Sequence, residues 1–151
     1  MSKTIKIFNR EMTPVELQRM RDGFDEHTID NGVEVQSADR FSFTAVLGDQ
    51  FVGCSSGLAY KNKEQYSGWF YLTDLFVEKS YRYQGLGSKL LLDLEAQIQA
   101  VGVTDIWVWT AGYEAPPFYQ KLGYEIFAEM GNWYSDGSSR VGLKKSLNHF
   151  S

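Results

Sequence analysis

The sequence predicts a mixed α+β fold in which a mostly antiparallel sheet is flanked by helices. Two observations predict it: residues 41–78 contain three strand-like runs joined by turn signals, and residues 88–110 read as an amphipathic helix followed by a strand. A chain of 151 residues has the length for one domain around one hydrophobic core. We therefore expect a single domain over residues 1–151.

The N-terminal residues predict a strand and then a helix. Apolar and polar side chains alternate over residues 4–9, as is typical of a strand. Thr13 and Pro14 then match a helix N-cap and a first helical position. Glycine lowers helix stability, so Gly23 predicts that this helix breaks there.

The next part of the chain predicts antiparallel strands. Gly48 and Asp49 form a hairpin signal between two strand-like runs within residues 41–60. A third strand-like run, at 68–78, follows a polar turn. We therefore expect the N-terminal half of the chain to be mostly antiparallel sheet.

The second half of the chain predicts a β-α-β unit and a final hairpin. Apolar residues recur at helical spacing over residues 88–101. The strand at 71–77, this helix and the strand at 105–110 form the β-α-β unit. A short helix at 115–123 and a hairpin at 124–147 complete the predicted order.

Composition and charge exclude several classes of protein. The chain is 43% hydrophobic and 15% aromatic, which is too apolar for a disordered protein, and no apolar run approaches the roughly 20 residues of a membrane helix. The first ten residues lack the apolar core of a secretory signal. A net charge of -4 disfavours a nonspecific nucleic-acid binder and favours cationic partners. We expect a soluble cytoplasmic protein without a membrane or nucleic-acid partner.

Metal and disulfide chemistry are also disfavoured. Cys54 is the one cysteine, so it forms neither an internal disulfide nor a cysteine metal cluster, and we interpret it as a strand residue. The two histidines do not have metal-ligand spacing. We expect no metal.

A glycine-rich segment joins the predicted strand 71–77 to the following helix. Its pattern is Arg82-x-x-Gly85-x-Gly87, which fits neither the P-loop spacing nor the dinucleotide fingerprint, because Leu90 stands where the third glycine of that fingerprint is needed. Successive amides at a helix start can bind a diphosphate, and the helix dipole adds favourable potential. An ordinary turn is the alternative interpretation.

Two linked segments resemble the motifs of the GNAT N-acetyltransferases. "LFVEKSYRYQGLGSKLL", residues 75–91, is similar to the family's Val, short loop, Arg/Gln-x-x-Gly-x-Gly/Ala motif. "APPFYQKLGYE", residues 115–125, is similar to a later motif in which Ala precedes Phe-Tyr and a Lys-Leu-Gly-Tyr helix end. The order of elements around the motifs also agrees, so the resemblance covers nearly the whole chain.

The resemblance implies acetyl-CoA as co-substrate, bound between two central strands that splay apart. It places the pyrophosphate on the amides of residues 84–88 and implies that a backbone amide near Phe76 or Leu75 polarises the thioester carbonyl. The residues implied in cofactor binding are Leu75, Phe76, Val77, Arg82, Tyr83, Gln84, Gly85, Leu86, Gly87, Ser88 and Lys89.

Tyr119 is the candidate general acid. Acetyl transfer from a thioester to an amine requires a neutral amine, a polarised carbonyl and a proton for the leaving thiolate. A phenol with a pKa near 10 stays protonated at neutral pH. Helical spacing directs Phe118 and Leu122 towards the core and leaves Tyr119 on an adjoining face. In the family, the tyrosine of this Phe-Tyr pair is the general acid; an ordinary half-buried tyrosine is the alternative.

Asp74 is the candidate for holding the acceptor amine or accepting its proton. Strand alternation places Leu72, Asp74 and Phe76 on one face, so a carboxylate interrupts an apolar strand. Burying a lone carboxylate is costly, which predicts that Asp74 faces a cleft. A hydrogen-bonded structural aspartate is the alternative.

The sequence departs from the family pattern at two positions. Polyamine-acetylating relatives tend to show Leu-Glu-Asp where this chain has Thr73 before Asp74, which weakens a polyamine interpretation. Gly112 stands where many members carry an Asn that contacts the cofactor, which puts that contact in doubt.

Three further sets of residues are candidates for the acceptor site. His27 lies in an acidic segment, residues 25–30, and is interpreted as either an acceptor contact or part of a solvated loop. Glu114 is a second acidic candidate, although a carboxylate at a helix start also stabilises the helix dipole. Trp107 and Trp109 share one strand face, where they either line an acceptor pocket or pack the sheet.

These observations favour an N-acetyltransferase that acts on a primary amine of a small molecule, such as an amine-bearing metabolite or antibiotic. Two alternatives are a protein lysine or N-terminal acetyltransferase and a noncatalytic acyl-CoA sensor. The retained Tyr119 argues against the sensor. A homodimer is left open.

Overall fold

Six strands form one sheet in the order β1-β2-β3-β4-β6-β5, which the computed structural model describes together with three α-helices and a short 3-10 helix at Lys79–Tyr81. The structure describes residues 3–148. The elements, in chain order, are α1 (Pro14–Asp30), β1 (Gln36–Leu47), β2 (Gln50–Asn62), β3 (Gln65–Val77), α2 (Leu86–Ala100), β4 (Asp105–Ala111), α3 (Pro116–Lys121), β5 (Glu125–Met130) and β6 (Arg140–Ser146). β3 and β4 pair in parallel and the other neighbours pair antiparallel. The predicted mixed, mostly antiparallel α+β fold is confirmed.

The N-terminal part of the chain forms its own compact unit, which ends at Val35. The predicted start of α1 is confirmed, because the Thr13 hydroxyl accepts from the Glu16 amide at 3.2 Å and the Glu16 carboxylate accepts from the Thr13 amide at 2.8 Å. The predicted break at Gly23 is wrong: α1 continues to Asp30. A glycine costs a helix interior only about 1 kcal/mol, which a well-capped helix tolerates.

The strand predicted at residues 4–9 is also wrong. Residues 3–8 belong to no helix or strand, and the backbone of the bend that follows makes a local hydrogen bond from the Arg10 amide to the Phe8 carbonyl. Alternation specifies which face a side chain takes once a strand is paired, but the ladder itself needs a partner strand. The described sheet begins instead with β1.

The second unit begins at Gln36 and contains the whole sheet. The hairpin predicted at Gly48 and Asp49 is confirmed, since Leu47 pairs with Gln50. The turn between β2 and β3 is tighter than predicted and consists of Lys63 and Glu64. β3 therefore begins at Gln65, three residues before the predicted strand.

The predicted β-α-β unit is confirmed, and its two strands separate after a short paired stretch. β3 and β4 pair only where Trp69–Tyr71 lie beside Asp105–Trp107. Leu91, Leu94 and Ile98 of α2 are fully buried and pack in the same core cluster as the strands. Beyond the paired stretch, the ends of β3 and β4 diverge and leave a gap in the sheet, as the family resemblance implies.

A β-bulge at Thr73 changes which face the following residues of β3 occupy. Gly57 pairs with Leu72, but the preceding Ser56 pairs with Asp74, so Thr73 is the extra residue. Leu72 is buried in the core, whereas Asp74 is exposed on the sheet face away from α2. The predicted common face of Leu72, Asp74 and Phe76 is therefore wrong for Leu72, because one inserted residue reverses the alternation.

A buried charge network joins α2 to the last two strands. Glu95 and Lys145 form an ion pair of 2.6 Å with side chains only 8% and 12% exposed. The Tyr124 hydroxyl donates to the same carboxylate at 2.8 Å. Burial, and then the Glu95 carboxylate, raise the pKa of the Tyr124 phenol above its ordinary value. Because Tyr124 also contacts Tyr119 at 5.4 Å between ring centroids, this network supports the residue proposed as general acid.

We expect Lys145→Met to lower the free energy of unfolding by about 3 kcal/mol, because it leaves the Glu95 carboxylate buried without its cation. Lys89→Met is the matched control, since it breaks the exposed Lys89–Asp93 pair, and should cost less than about 0.5 kcal/mol. Denaturant unfolding of the three proteins makes the comparison. Equal effects of the two substitutions would mean that the Glu95 network contributes no more than a surface pair.

Candidate active site

The segment between β3 and α2 presents bare amides at the start of a helix. Tyr83 and Gly85 both have positive φ, 63° and 84°, which turn the chain sharply into α2. The first hydrogen bond within the helix runs from the Lys89 amide to the Gly85 carbonyl at 3.0 Å. The amides of residues 86–88 therefore lie in the first helical turn, where the backbone donors lack partners inside the helix. This arrangement can bind an anion.

Gly87 is a glycine that the protein's own packing does not require. Its φ is not in the left-handed region, and a Cβ built on it would lie 3.6 Å from the Phe118 ring and 3.7 Å from Val77, which are ordinary contacts. A side chain at this position would therefore fit against its neighbours. The missing Cβ instead leaves the amides open to a group outside the chain.

A cleft of about 570 Å³ lies beside these amides and extends to α3. It brings together the glycine loop, the end of β3 and the start of α3. Its lining residues are Leu75, Phe76, Val77, Tyr81, Arg82, Tyr83, Gly85, Gly87, Ser88, Glu114, Ala115, Phe118 and Tyr119. Most of the residues predicted to bind the cofactor thus share one cleft with the predicted general acid.

The backbone of β3 offers hydrogen-bonding groups to the gap between β3 and β4. The Glu78 amide donates to the Val52 carbonyl of β2 at 2.8 Å. Backbone groups alternate sides along a strand, so Phe76 also faces β2, while Leu75 and Val77 face the gap. The Arg82 side chain donates to the Val77 carbonyl at 2.9 Å, in agreement with this direction. Of the two amides predicted to polarise a carbonyl, that of Leu75 faces the gap.

Tyr119 places a phenol at the end of the cleft. Its side chain is 5% exposed, and burial raises the pKa of Tyr119 to about 12. The structure gives its hydroxyl no partner among residues 3–148, and no fully buried side-chain polar atom of this range lacks one, so the hydroxyl is not fully buried. Tyr119 is also one of the residues that line the cleft. The predicted packing is wrong in one respect: Tyr119 belongs to the core, while Phe118 and Leu122 are only partly buried against it.

Asp74 lies outside the cleft lining, on the sheet face away from α2. Its carboxylate accepts a 2.8 Å hydrogen bond from the Thr73 hydroxyl. The Arg40 guanidinium donates to Thr73 at 3.0 Å and to Ser56 at 2.8 Å. A polar cluster formed by Arg40, Ser56, Thr73 and Asp74 therefore surrounds the bulge, where β3 begins to leave β4. Arg40 was not predicted, because it comes 33 residues earlier in the chain.

The comparisons with known proteins now identify the family. The sequence profile of the Acetyltransferase (GNAT) domain matches residues 38–126, more than half of the chain. The chain belongs to the GNAT acetyltransferase family. The resemblance seen in the two motifs is thereby confirmed.

Two relatives of this GNAT chain are named for different acceptors, one an antibiotic and the other a protein N-terminus. Blasticidin-S acetyltransferase of Streptomyces morookaense is 33% identical over 78 residues, which cover 51% of this chain and 57% of that protein. The catalytic subunit of the N-terminal acetyltransferase B complex of Arabidopsis thaliana is 28% identical over 112 residues, which cover 72% of this chain and 63% of that protein. The matched regions span less than two thirds of either relative.

A solved structure extends the likeness of fold to most of this GNAT chain. An acetyltransferase from Bacillus cereus ATCC 14579 superposes with a TM-score of 0.76 at 21% identity, over 93% of this chain and 97% of that one. At this identity the likeness concerns the fold.

Three residues predicted to bind the cofactor of this GNAT protein lie outside the cleft lining. Gln84 donates to the Ser80 carbonyl at 3.5 Å, Lys89 pairs with Asp93 at 2.9 Å, and Leu86 opens α2. Conversely, Tyr81 and Phe118 line the cleft without having been predicted as site residues. Phe118 belongs to the Phe-Tyr pair of the second motif, which is the signal that could have identified it.

The remaining acceptor candidates have different positions. Glu114 lines the cleft and is exposed. His27 is an exposed residue of α1 in the N-terminal unit, so its predicted role at the acceptor stays a prediction.

Cys54 pairs with Phe76 in the sheet, and burial and the Asp74 carboxylate raise the pKa of its thiol. A raised pKa agrees with the interpretation of Cys54 as an unreactive strand residue.

Trp107 and Trp109 do share one face of β4, as predicted. Trp107 stacks on Tyr71 with ring centroids 4.2 Å apart, and it meets Trp109 edge to face at 6.2 Å. With Trp69 and Phe127 they border a shallow cavity of about 380 Å³. These rings both pack the sheet and remain partly open.

Residues 3–148 contain no cluster of three or more side chains suited to hold a metal ion. Within the same residues, no helix has the length and apolar character needed to cross a membrane.

Proposed function

We propose that this protein is an N-acetyltransferase that transfers the acetyl group of acetyl-CoA to a primary amine of a small molecule, such as an amine-bearing metabolite or antibiotic. We propose further that residues 1–151 act as one N-acetyltransferase domain. The observation that carries the proposal is that a single cleft contains free helix-start amides, the open edge of β3 and the hydroxyl of Tyr119. The amides suit the diphosphate of acetyl-CoA, the β3 edge suits its amide-bearing arm, and the hydroxyl suits its leaving sulfur.

Each part of the cleft has a role in holding acetyl-CoA. The amides of residues 86–88 bind the pyrophosphate, and the exposed Arg82 adds positive charge beside them. The outward-facing backbone of Leu75 and Val77 pairs with the amides of the pantetheine arm, in the manner of an added strand. Acetyl-CoA supplies an activated thioester. The amide of Leu75 is then positioned to stabilise negative charge on the reacting carbonyl oxygen.

Tyr119 donates the proton that the leaving sulfur requires. In the transfer, a C–N bond forms, the C–S bond breaks, the amine loses a proton and the thiolate gains one. The phenol pKa of about 12 keeps Tyr119 protonated throughout the physiological range. A thiol in water is a stronger acid than this phenol. Burial also destabilises a thiolate and so raises the pKa of the thiol, which reduces the energetic cost of moving the proton from Tyr119 to the sulfur.

The polar cluster around the β3 bulge holds the acceptor. Asp74 attracts the ammonium form, and the Thr73 hydroxyl, itself held by Arg40, orients the carboxylate. Glu114 adds a second negative charge at the cleft. Attack requires the free amine, so Asp74 or a water that it holds removes the proton before the C–N bond forms.

The blasticidin-S relative supports a small-molecule acceptor for this chain. The Arabidopsis relative favours the second candidate, a protein N-terminal acetyltransferase, in which a peptide amine would occupy the same position. The accessible Tyr119 hydroxyl argues against the third candidate, a noncatalytic acyl-CoA sensor, because a sensor needs no proton donor at the sulfur.

Two measurements test the proposed function. Calorimetry should show that acetyl-CoA binds, and a thiol-detection assay should show CoA release when a panel of small amines and short peptides is supplied. Release with small amines supports the first candidate, and release only with peptides supports the second. Binding without release with any acceptor would favour the sensor, and absence of binding would reject all three.

We expect Asp74→Asn to raise the Michaelis constant of the acceptor about 10-fold, because it removes the charge that attracts the ammonium and keeps the shape of the side chain. Turnover should fall as well if Asp74 is the base, and only then should the low-pH limb of the pH-rate profile change. Ser42→Ala is the control, since Ser42 contacts Ser56 at 2.6 Å in the same region without carrying charge. Unchanged constants for Asp74→Asn across the pH series would make Asp74 structural.

A further inference from the structure

Arg140 begins β6 next to the loop that forms one wall of the cleft. Its backbone pairs with Ala111, the last residue of β4. The carbonyl of the preceding Ser139 accepts a 2.7 Å hydrogen bond from the Gly112 amide. Glu114, two residues after Gly112, lines the cleft. Strand pairing therefore fixes Arg140 beside the rim of the candidate active site.

The Arg140 guanidinium is held by aromatic rings and by no anion. Its central carbon lies 5.4 Å from the ring centroid of Trp109 and 5.2 Å from that of Trp133. The described chain provides it with no hydrogen bond or ion pair, whereas Arg10 and Arg19 each pair with a carboxylate. Cation–π contacts orient a guanidinium but leave its N–H donors unused. Arg140 therefore offers a positioned set of donors to a ligand.

Arg140 lies on the same sheet face as Asp74. Trp109 and Ala111 alternate with the buried Val108, so they occupy the face of β4 away from the core, and the Trp109 contact places Arg140 there too. The β3 bulge puts Asp74 on this face as well. β3 and β6 flank β4 in the sheet, so their axes would lie about 10 Å apart if all three strands paired, and the divergence of β3 from β4 beyond Tyr71 makes the separation at Asp74 larger than that.

We propose that Arg140 binds a carboxylate of the acceptor, so that the acceptor is an amine with a carboxylate several bonds away. The inference rests on the proposed acetyltransferase function, with Asp74 at the ammonium end. Guanidinium groups bind planar carboxylates through two parallel hydrogen bonds. An α-amino acid is too short to reach both charges, whereas an ω-amino acid or a longer amino acid derivative has the required length.

Matched acceptors test the inference. 6-Aminohexanoate, hexylamine and 5-aminopentyl phosphate share an aminopentyl chain and differ in the group at its far end. We expect kcat/KM for 6-aminohexanoate to exceed that for hexylamine at least about 10-fold, and Arg140→Gln to reduce this ratio to near one, mainly through KM. Arg140→Lys keeps the charge but loses the two parallel donors, so its ratio should be intermediate. A preference for the phosphate over the carboxylate would overturn the carboxylate assignment.

A binding measurement separates this inference from the proposed function. 6-Aminohexanoate should change the tryptophan fluorescence of the wild-type protein, because Trp109 and Trp133 border Arg140, and Arg140→Gln should weaken this binding about 10-fold. Arg21→Gln, an exposed arginine of α1, removes the same charge elsewhere and should leave it unchanged. Equal binding by wild type and Arg140→Gln overturns the inference even if other amines are acetylated. Fluorescence binding without any CoA release would instead reject the acetyltransferase and retain the anion site.

Discussion

Gly87→Val should abolish measurable acetyl-CoA binding while the protein remains folded. A valine side chain would stand among the helix-start amides that the pyrophosphate must approach. Loss of two charge-assisted hydrogen bonds to phosphate, at about 2 kcal/mol each, predicts a dissociation constant about 1,000-fold higher. Isothermal calorimetry with acetyl-CoA measures the effect directly.

The structure provides controls for this substitution. Gly23→Val also places valine at a helix-interior glycine whose Cβ would meet only the Arg19 side chain, at 3.7 Å, so it should alter helix stability without affecting acetyl-CoA binding. Gly87→Ala, with ordinary contacts of 3.6 Å to Phe118, should retain the fold and weaken binding less than valine does. Undiminished binding by Gly87→Val would show that the pyrophosphate lies elsewhere.

Local sequence signals predicted the elements whose causes are local. The turn at Gly48 and Asp49, the Thr13 cap and the apolar spacing of α2 each depend on residues within one or two turns of chain. The glycine loop was predictable for the same reason, because its geometry comes from positive φ at Tyr83 and Gly85 and from the helix that follows.

The errors arose where the determining contact is distant in sequence. The bulge at Thr73 depends on the register against β2, so alternation within β3 alone assigned Leu72 and Asp74 to one face. The alternating residues 4–9 carried no information on a partner strand, and none is present among the described strands.

Long-range packing likewise limited the prediction of the candidate site. Arg40 of β1 reaches Thr73 of β3 across β2, and Arg140 meets Trp109 only because β6 pairs with β4. Neither arginine lies in a recognisable motif. Tyr119 was selected through its motif, yet its depth in the core depends on Tyr124, Glu95 and the packing of α2.

The hydroxyl of Tyr119 is the group whose removal should most affect the chemistry. We expect Tyr119→Phe to lower turnover about 10- to 1,000-fold with acetyl-CoA affinity little changed, because the ring and its contacts with Phe118 and Tyr124 remain. Tyr81→Phe is the matched control, since it removes a phenol hydroxyl from the lining of the same cleft, and its turnover should stay within about 2-fold of wild type.

The raised pKa of Tyr119 makes a separate prediction for the wild-type pH profile. A general acid must be protonated, and burial raises the pKa of this phenol to about 12. The enzyme should therefore lose activity through deprotonation of Tyr119 only above about pH 11. Between pH 6 and 10 the rate should therefore rise with deprotonation of the amine and show no falling limb, and Tyr119→Phe should follow a parallel curve at lower rate. A wild-type falling limb near pH 10 that disappears in Tyr119→Phe would instead mean that the phenol titrates at its ordinary pKa in the complex.

Turnover of Tyr119→Phe equal to wild type, under conditions where chemistry limits the rate, would exclude Tyr119 as the proton donor and leave the thiolate to be protonated by solvent.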